Sequence, residues 1–125
     1  MMPPAELLDE AKVEWGRIYE QLTSLGLLTK IDRGALAACC QAFGRAVVAE
    51  RAIGELAKRD KVFQGLVIKT KNGNMIQNPL VGIANKAWSD YVRYAAEFGM
   101  TPSARSRINT PTPNDEEDPA EAYLG

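Results

Sequence analysis

Histidine is absent from this 125-residue chain, and with it go the commonest general base at neutral pH and the commonest metal ligand. Cysteine is nearly absent, and the two present, Cys39 and Cys40, are adjacent. Neighbours on a helix point about 100° apart and do not readily bridge to each other. Without further ligands at metal spacing, the pair reads as small core hydrophobes on an apolar helix face. No apolar run approaches the roughly 20 residues that span a bilayer. Met1-Met2-Pro3-Pro4 shows no basic patch leading into an apolar stretch, as a secretory leader would. A cytosolic protein with no membrane partner is therefore expected. No Gly-x-x-x-x-Gly-Lys-Ser/Thr phosphate loop occurs, and Gly73 stands alone rather than in a Gly-x-Gly-x-x-Gly run. The one run of more than two adjacent carboxylates lies between Asp115 and Asp118, where nothing would hold them in position. Together these absences predict a non-enzyme that needs no cofactor and no metal.

What remains has the composition of one globular domain, with 46% hydrophobic and 25% charged residues. The net charge of −1 conceals an asymmetry. Residues 1–24 carry five acids against two bases, residues 29–108 thirteen bases against six acids, and residues 109–125 five acids and no base. A basic body with acidic ends permits a polyanion-binding surface that the overall charge hides.

Apolar residues Leu7, Leu8, Ala11, Trp15, Ile18, Tyr19, Leu22 and Leu25 recur at helical spacing, which predicts a helix over about 5–25. Pro3 and Pro4 would sit in its first turn, and Gly26 would stop it. Thr29 followed by Asp32 has the form of a capping box with the shorter acid. A second helix is expected from there to about Arg59, with Leu36, Cys39, Cys40, Phe43, Val47, Ile53 and Leu56 as its apolar stripe. Gly34, Gly44 and Gly54 recur along it, each costing roughly 1 kcal/mol against alanine in a helix interior. They either bend the helix or admit a second backbone, so this element reads as an assembly surface as well as core. Leu66-Val67-Ile68-Lys69 and Met75-Ile76-Gln77 flank an Asn72-Gly73 turn signal, predicting a small β-hairpin or an extended loop. Asn78-Pro79 then opens a third helix with a wide apolar face, Leu80 to Phe98, ended by Gly99. Thr101-Pro102 opens a short fourth one carrying Arg105 and Arg107. The fold class is thus mainly α, a long helical hairpin with a small hairpin or loop between its arms. Residues 1–108 form the helical domain, and 109–125 an acidic tail expected to be disordered.

Three basic groups emerge: Lys58, Arg59 and Lys61 at the end of the long helix; Lys69 and Lys71 on the hairpin; Arg105 and Arg107 on the short helix. Singly, each reads as solvated surface. Repeated around a ring of copies they would form a positive belt of the kind that grips phosphates without reading bases. The tail ends in its only bulky apolar pair, Tyr123 and Leu124, which is either a docking anchor steered by the acids or part of a solubility tail.

Three stretches together resemble the short family of phage terminase small subunits. The first is Leu28-Thr29-Lys30-Ile31-Asp32 leading to Leu36 and Cys39-Cys40, and the second Asn78-Pro79-Leu80 with Ile83 and Lys86-Ala87. The third and most specific is Phe98-Gly99-Met100-Thr101-Pro102-Ser103-Ala104-Arg105-Ser106-Arg107. The acidic end resembles the family more loosely. Phe98-Gly99-Met100 replaces a usual Leu-Gly-Leu, a conservative departure. The resemblance implies a helical subunit that forms a homo-oligomeric ring in the cytoplasm of the bacterial host. It further implies that the ring engages double-stranded phage DNA near its packaging site and delivers it to a large subunit that owns the ATPase and nuclease. It assigns no catalytic residue and no DNA-contacting residue. Two competing readings are a small helical DNA-binding regulator, which would need a short recognition helix, and a structural ring protein of the phage head with no DNA role.

Overall fold

The computed structural model describes residues 2–27 and 32–100. The order of elements is α1 (Asp9–Ser24), α2 (Arg33–Arg59), β1 (Val67–Lys69), β2 (Met75–Gln77) and α3 (Pro79–Glu97). Helix α2, 27 residues and therefore about 40 Å long, is the spine. Helix α3 returns antiparallel along it, and α1 packs across its first half. The expected mainly helical fold is present, and the choice between hairpin and loop resolves to a hairpin.

The core follows the apolar stripes. Trp15, Ile18 and Leu22 of α1 meet Leu36, Cys39 and Cys40 of α2, with Leu7, Leu27 and Phe98 closing the cluster. A second, smaller cluster joins Ala49 and Ile53 of α2 to Ala84 of α3, beneath Leu80, Val81 and Trp88. Each large apolar side chain fully buried here contributes about 1.5–3 kcal/mol. Gly44 lies where α1 crosses α2: a Cβ there would stand 3.0 Å from the Ala11 Cβ and 3.1 Å from its backbone nitrogen. That glycine admits a neighbouring backbone, as expected, but the neighbour is the chain's own α1. Gly54 has open space around it.

The helix ends show where local rules held and where packing prevailed. Helices α1 and α3 both stop in Schellman motifs. Gly26 (φ 71°) and Gly99 (φ 79°) adopt the left-handed conformation, and the next amides, Leu27 and Met100, bond back to the carbonyls of Leu22 and Ala95 at 2.9 Å. Helix α1 begins four residues later than its apolar spacing predicts, and the two prolines precede it rather than open it. Leu8 is extended (ψ 153°), and its amide is drawn off to Gln41 Oε1 at 3.0 Å, while Leu7 turns into the core. Thr29 lies outside the described residues, and Asp32 is itself the N-cap of α2 rather than the third residue of a capping box. Its carboxylate accepts from the amides of Gly34 at 2.6 Å and Ala35 at 3.4 Å.

The strands pair antiparallel, with Val67 opposite Gln77, Ile68 opposite Ile76 and Lys69 opposite Met75. Gly73 has φ 88° whereas Asn72 has no positive φ. The Gly73 amide bonds to the Thr70 carbonyl at 2.9 Å, and the Thr70 amide to the Asn74 carbonyl at 2.8 Å. The tip is therefore a turn closed by a left-handed glycine rather than the two-residue Asn-Gly turn. The short helix expected after Thr101 and the tail from residue 109 lie outside the described residues.

Candidate nucleic-acid interface

The end of the molecule opposite the main core is built by one buried amide side chain. Asn78, 3% exposed, caps α3 through Oδ1, which accepts from the Leu80 amide at 2.9 Å. Its Nδ2 donates to the Gly65 carbonyl at 2.7 Å, and its own amide to the Leu66 carbonyl at 2.8 Å. Thus the start of α3 is stapled to the loop that leaves α2. That loop turns sharply: Gln64 (φ 54°) and Gly65 (φ 82°) are both left-handed. The Asp60 carboxylate holds the turn by accepting from the amides of Val62 at 3.0 Å and Phe63 at 3.1 Å. Gly65 lies so close to α2 that a Cβ would meet the Ile53 carbonyl oxygen at 2.5 Å.

This stapling gathers five of the seven cations that the sequence singles out. Lys58 and Arg59 end α2, Lys61 sits in the turn, and Lys69 and Lys71 lie on the hairpin; all five are exposed. Lys58 pairs with Glu55 at 3.1 Å, both groups open to water, an interaction worth at most about 1 kcal/mol. Arg59, Lys61, Lys69 and Lys71 have no ion pair among the described residues. The only acids close by in sequence are Glu55 and Asp60, and Asp60 is engaged by the turn. Arg105 and Arg107 lie outside the described residues. The described chain ends at Met100, and 19-residue α3, about 28 Å of helix, separates that point from the hairpin end.

Sequence reasoning missed the apolar half of this end. Val62 (79% exposed), Phe63, Leu66, Met75 and Ile76 all stand in solvent among the bases. It also missed a buried polar tie between α1 and α3. Glu14, 2% exposed, is gripped by the Arg17 fork, whose Nε donates to Oε1 at 2.8 Å while Nη2 donates to Oε2. The Tyr91 hydroxyl donates to Glu14 Oε2 at 2.7 Å and accepts from Arg17 Nη2 at 3.0 Å. Burial, and then the bond to Glu14, raise the Tyr91 phenol; the bond to Glu14 raises Arg17. A signal existed, because Glu14 falls on the stripe of Ala11, Trp15 and Ile18 with Arg17 three residues on. This triad stitches α1 to α3.

The other features carry structure rather than chemistry. Burial pushes the Cys39 and Cys40 thiols up to about 12, which keeps them protonated and unreactive near neutrality. The aromatic face of α3 turns inward. Phe98 is buried, Trp88 donates to Glu50 at 2.9 Å, and Phe43 packs on Trp88 and Tyr91 with ring centroids 5.7 and 5.3 Å apart. It therefore offers little of the surplus apolar surface that its composition suggests. A groove of about 470 Å³ runs between α2 and α3 beside Ala42, Arg45, Ile83 and Lys86; its one carboxylate, Asp90, is tied to Lys86 and Arg93. Among the described residues no group of three acids or cysteines could hold a metal ion, and no helix is long and apolar enough to cross a membrane.

The family model described as phage terminase, small subunit, matches residues 11–115. No curated protein and no solved structure matches the chain.

Proposed function

The chain belongs to the phage terminase small-subunit family, which gives it a role in phage DNA packaging, and we propose that it engages the viral duplex through its hairpin end and passes it to the large subunit. The observation that carries this reading is the cluster of Lys58, Arg59, Lys61, Lys69 and Lys71 on one end, with a single weak ion pair among them. Flexible cations on an exposed turn and hairpin contact phosphates and release counterions. They impose no base pattern. Binding is therefore expected to be weak, salt-sensitive and largely sequence-tolerant, with Arg105 and Arg107 adding further contacts. Titrating duplex DNA at several salt concentrations tests it: the log–log slope should fall by about one for each phosphate contact removed by a charge-neutralising substitution. The two arms of the helical hairpin, 27 and 19 residues long, also favour this role over a compact regulator with a short recognition helix.

The second element of the proposal is assembly. A ring of copies in the host cytoplasm would repeat the basic end into a belt around DNA. With Gly44 taken up by α1, the α2 glycine proposed as the point of approach for another copy is Gly54, which is exposed with nothing near it, as are Gly16 on α1 and Gly82 on α3. Sedimentation should show a homo-oligomer at micromolar concentration. In an isolated chain Gly54→Ala would stabilise the helix by about 1 kcal/mol; at an interface Gly54→Leu should dissociate the oligomer. A monomer for the unmodified protein would contradict the assembly.

The third element is delivery. Tyr123 and Leu124 dock on the large subunit, with the acids from Asp115 to Asp118 speeding encounter with a basic surface. Truncation after Pro113 should abolish recovery of the large subunit in a pull-down, whereas a solubility tail predicts equal recovery.

A further inference from the structure

Phosphate binding uses the cations of the hairpin end and leaves its apolar side chains unexplained. Five large ones stand exposed among five bases: Val62 and Phe63 beside Lys61, Leu66 just before β1, and Met75 and Ile76 within β2. Lys69 is directly opposite Met75 in the ladder, so a cation and an apolar side chain share one face of the sheet. DNA offers nothing to cover such a patch from outside a groove. A segment that is itself both acidic and apolar does. The chain contains one: Asp115-Glu116-Glu117-Asp118 followed by Glu121, Tyr123 and Leu124. It is opposite to the patch in charge sign, equal to it in charge number, and like it has apolar groups beside the charges.

We propose that the hairpin end also receives the acidic segment Asp115–Leu124 of the same copy, which competes there with DNA for the same cations. The distances permit it. Fourteen residues lie between Met100 and Asp115, and the extended chain joining those two positions spans about 50 Å, against about 28 Å for α3. The carboxylates face Arg59, Lys61, Lys69 and Lys71, and Tyr123 and Leu124 cover the apolar side chains of the turn and hairpin. The consequence rests on the proposed DNA role: capture of the segment by the large subunit would vacate the cations at the moment DNA is handed over.

The test separates the docking from that role. A fluorescent peptide of residues 113–125 is titrated by anisotropy into the protein truncated after Pro113, and DNA affinity is measured for the truncated and full chains. Expected are saturable peptide binding, roughly tenfold weaker with Lys69→Gln/Lys71→Gln, as several exposed ion pairs together would give, and weaker again with Met75→Ser/Ile76→Ser. DNA binding should be roughly tenfold tighter for the truncated chain at low salt, with the difference shrinking as salt rises. Because Met75 and Ile76 are exposed, those variants keep the fold, and circular dichroism checks it. Peptide binding without any DNA binding would support the docking while refuting the DNA role. DNA binding without peptide binding would overturn the docking. Dissociation of the oligomer by Met75→Ser/Ile76→Ser with peptide affinity unchanged would assign the patch to a contact between copies and overturn it equally.

Discussion

Replacing Arg17 with methionine is expected to lower stability by about 3 kcal/mol, a large share of what a domain of this size has. The reason is the position of its partner. Glu14 lies in the core with its side chain 3% exposed, whereas that of Arg17 is 54% exposed. Without the guanidinium, the buried carboxylate keeps one donor, the Tyr91 hydroxyl at 2.7 Å, and no countercharge. Removing the other member has a different result. In Glu14→Leu the buried charge is gone, Arg17 turns to water, and the loss is chiefly one hydrogen bond from Tyr91, about 1 kcal/mol. Urea unfolding followed by circular dichroism should therefore rank Arg17→Met well below Glu14→Leu. The reverse order would mean that the triad is not what ties α1 to α3.

A loss of similar size is expected from Gly65→Val. Its φ of +82° disfavours any L side chain, and its Cβ would meet the Ile53 carbonyl oxygen at 2.5 Å and the Ala57 nitrogen at 3.3 Å. Left-handed strain of about 1–2 kcal/mol adds to overpacking of about 1–3 kcal/mol. The obstructing atoms are helix backbone and cannot swing aside. The strain falls on the loop that Asn78 staples, so the hairpin end should loosen before the main core. Hydrogen exchange would show this as early loss of protection at Leu66 and Asn78 with Ile18 and Cys40 still protected. Uniform loss would contradict the view that this end is an independently held unit.

Much of this fold is legible along the chain because its signals are local. Left-handed glycines at 26 and 99 and the Asn78-Pro79 start act within one turn of helix, and the structure keeps all of them. What was not legible depends on partners distant in sequence. The late start of α1 is set by Gln41, 33 residues away. The burial of Glu14 is made tolerable by Tyr91, 77 residues away. Gly44 could be recognised as a point of close approach, but whether α1 or another copy approaches is decided by where α1 crosses. Asn78 was recognisable as a cap, yet its second bond, to Gly65, requires the loop to fold back. At the candidate interface the cations were visible as residue types. Their convergence follows from the stapled turn, and the exposed apolar side chains between them follow from a turn and a hairpin too short to bury their own residues.

The central claim is that this terminase small subunit holds DNA by charge at its hairpin end, and one measurement tests it most directly. Lys58, Arg59, Lys61, Lys69, Lys71, Arg105 and Arg107 are all replaced by glutamine, and duplex affinity is compared with the unmodified protein over a range of salt, with sedimentation run on the same samples. The prediction is complete loss of salt-dependent binding with assembly unchanged, and loss of most of it when only the five residues of the hairpin end are replaced. Unaltered affinity in the seven-fold variant, with the assembly intact, would contradict the account.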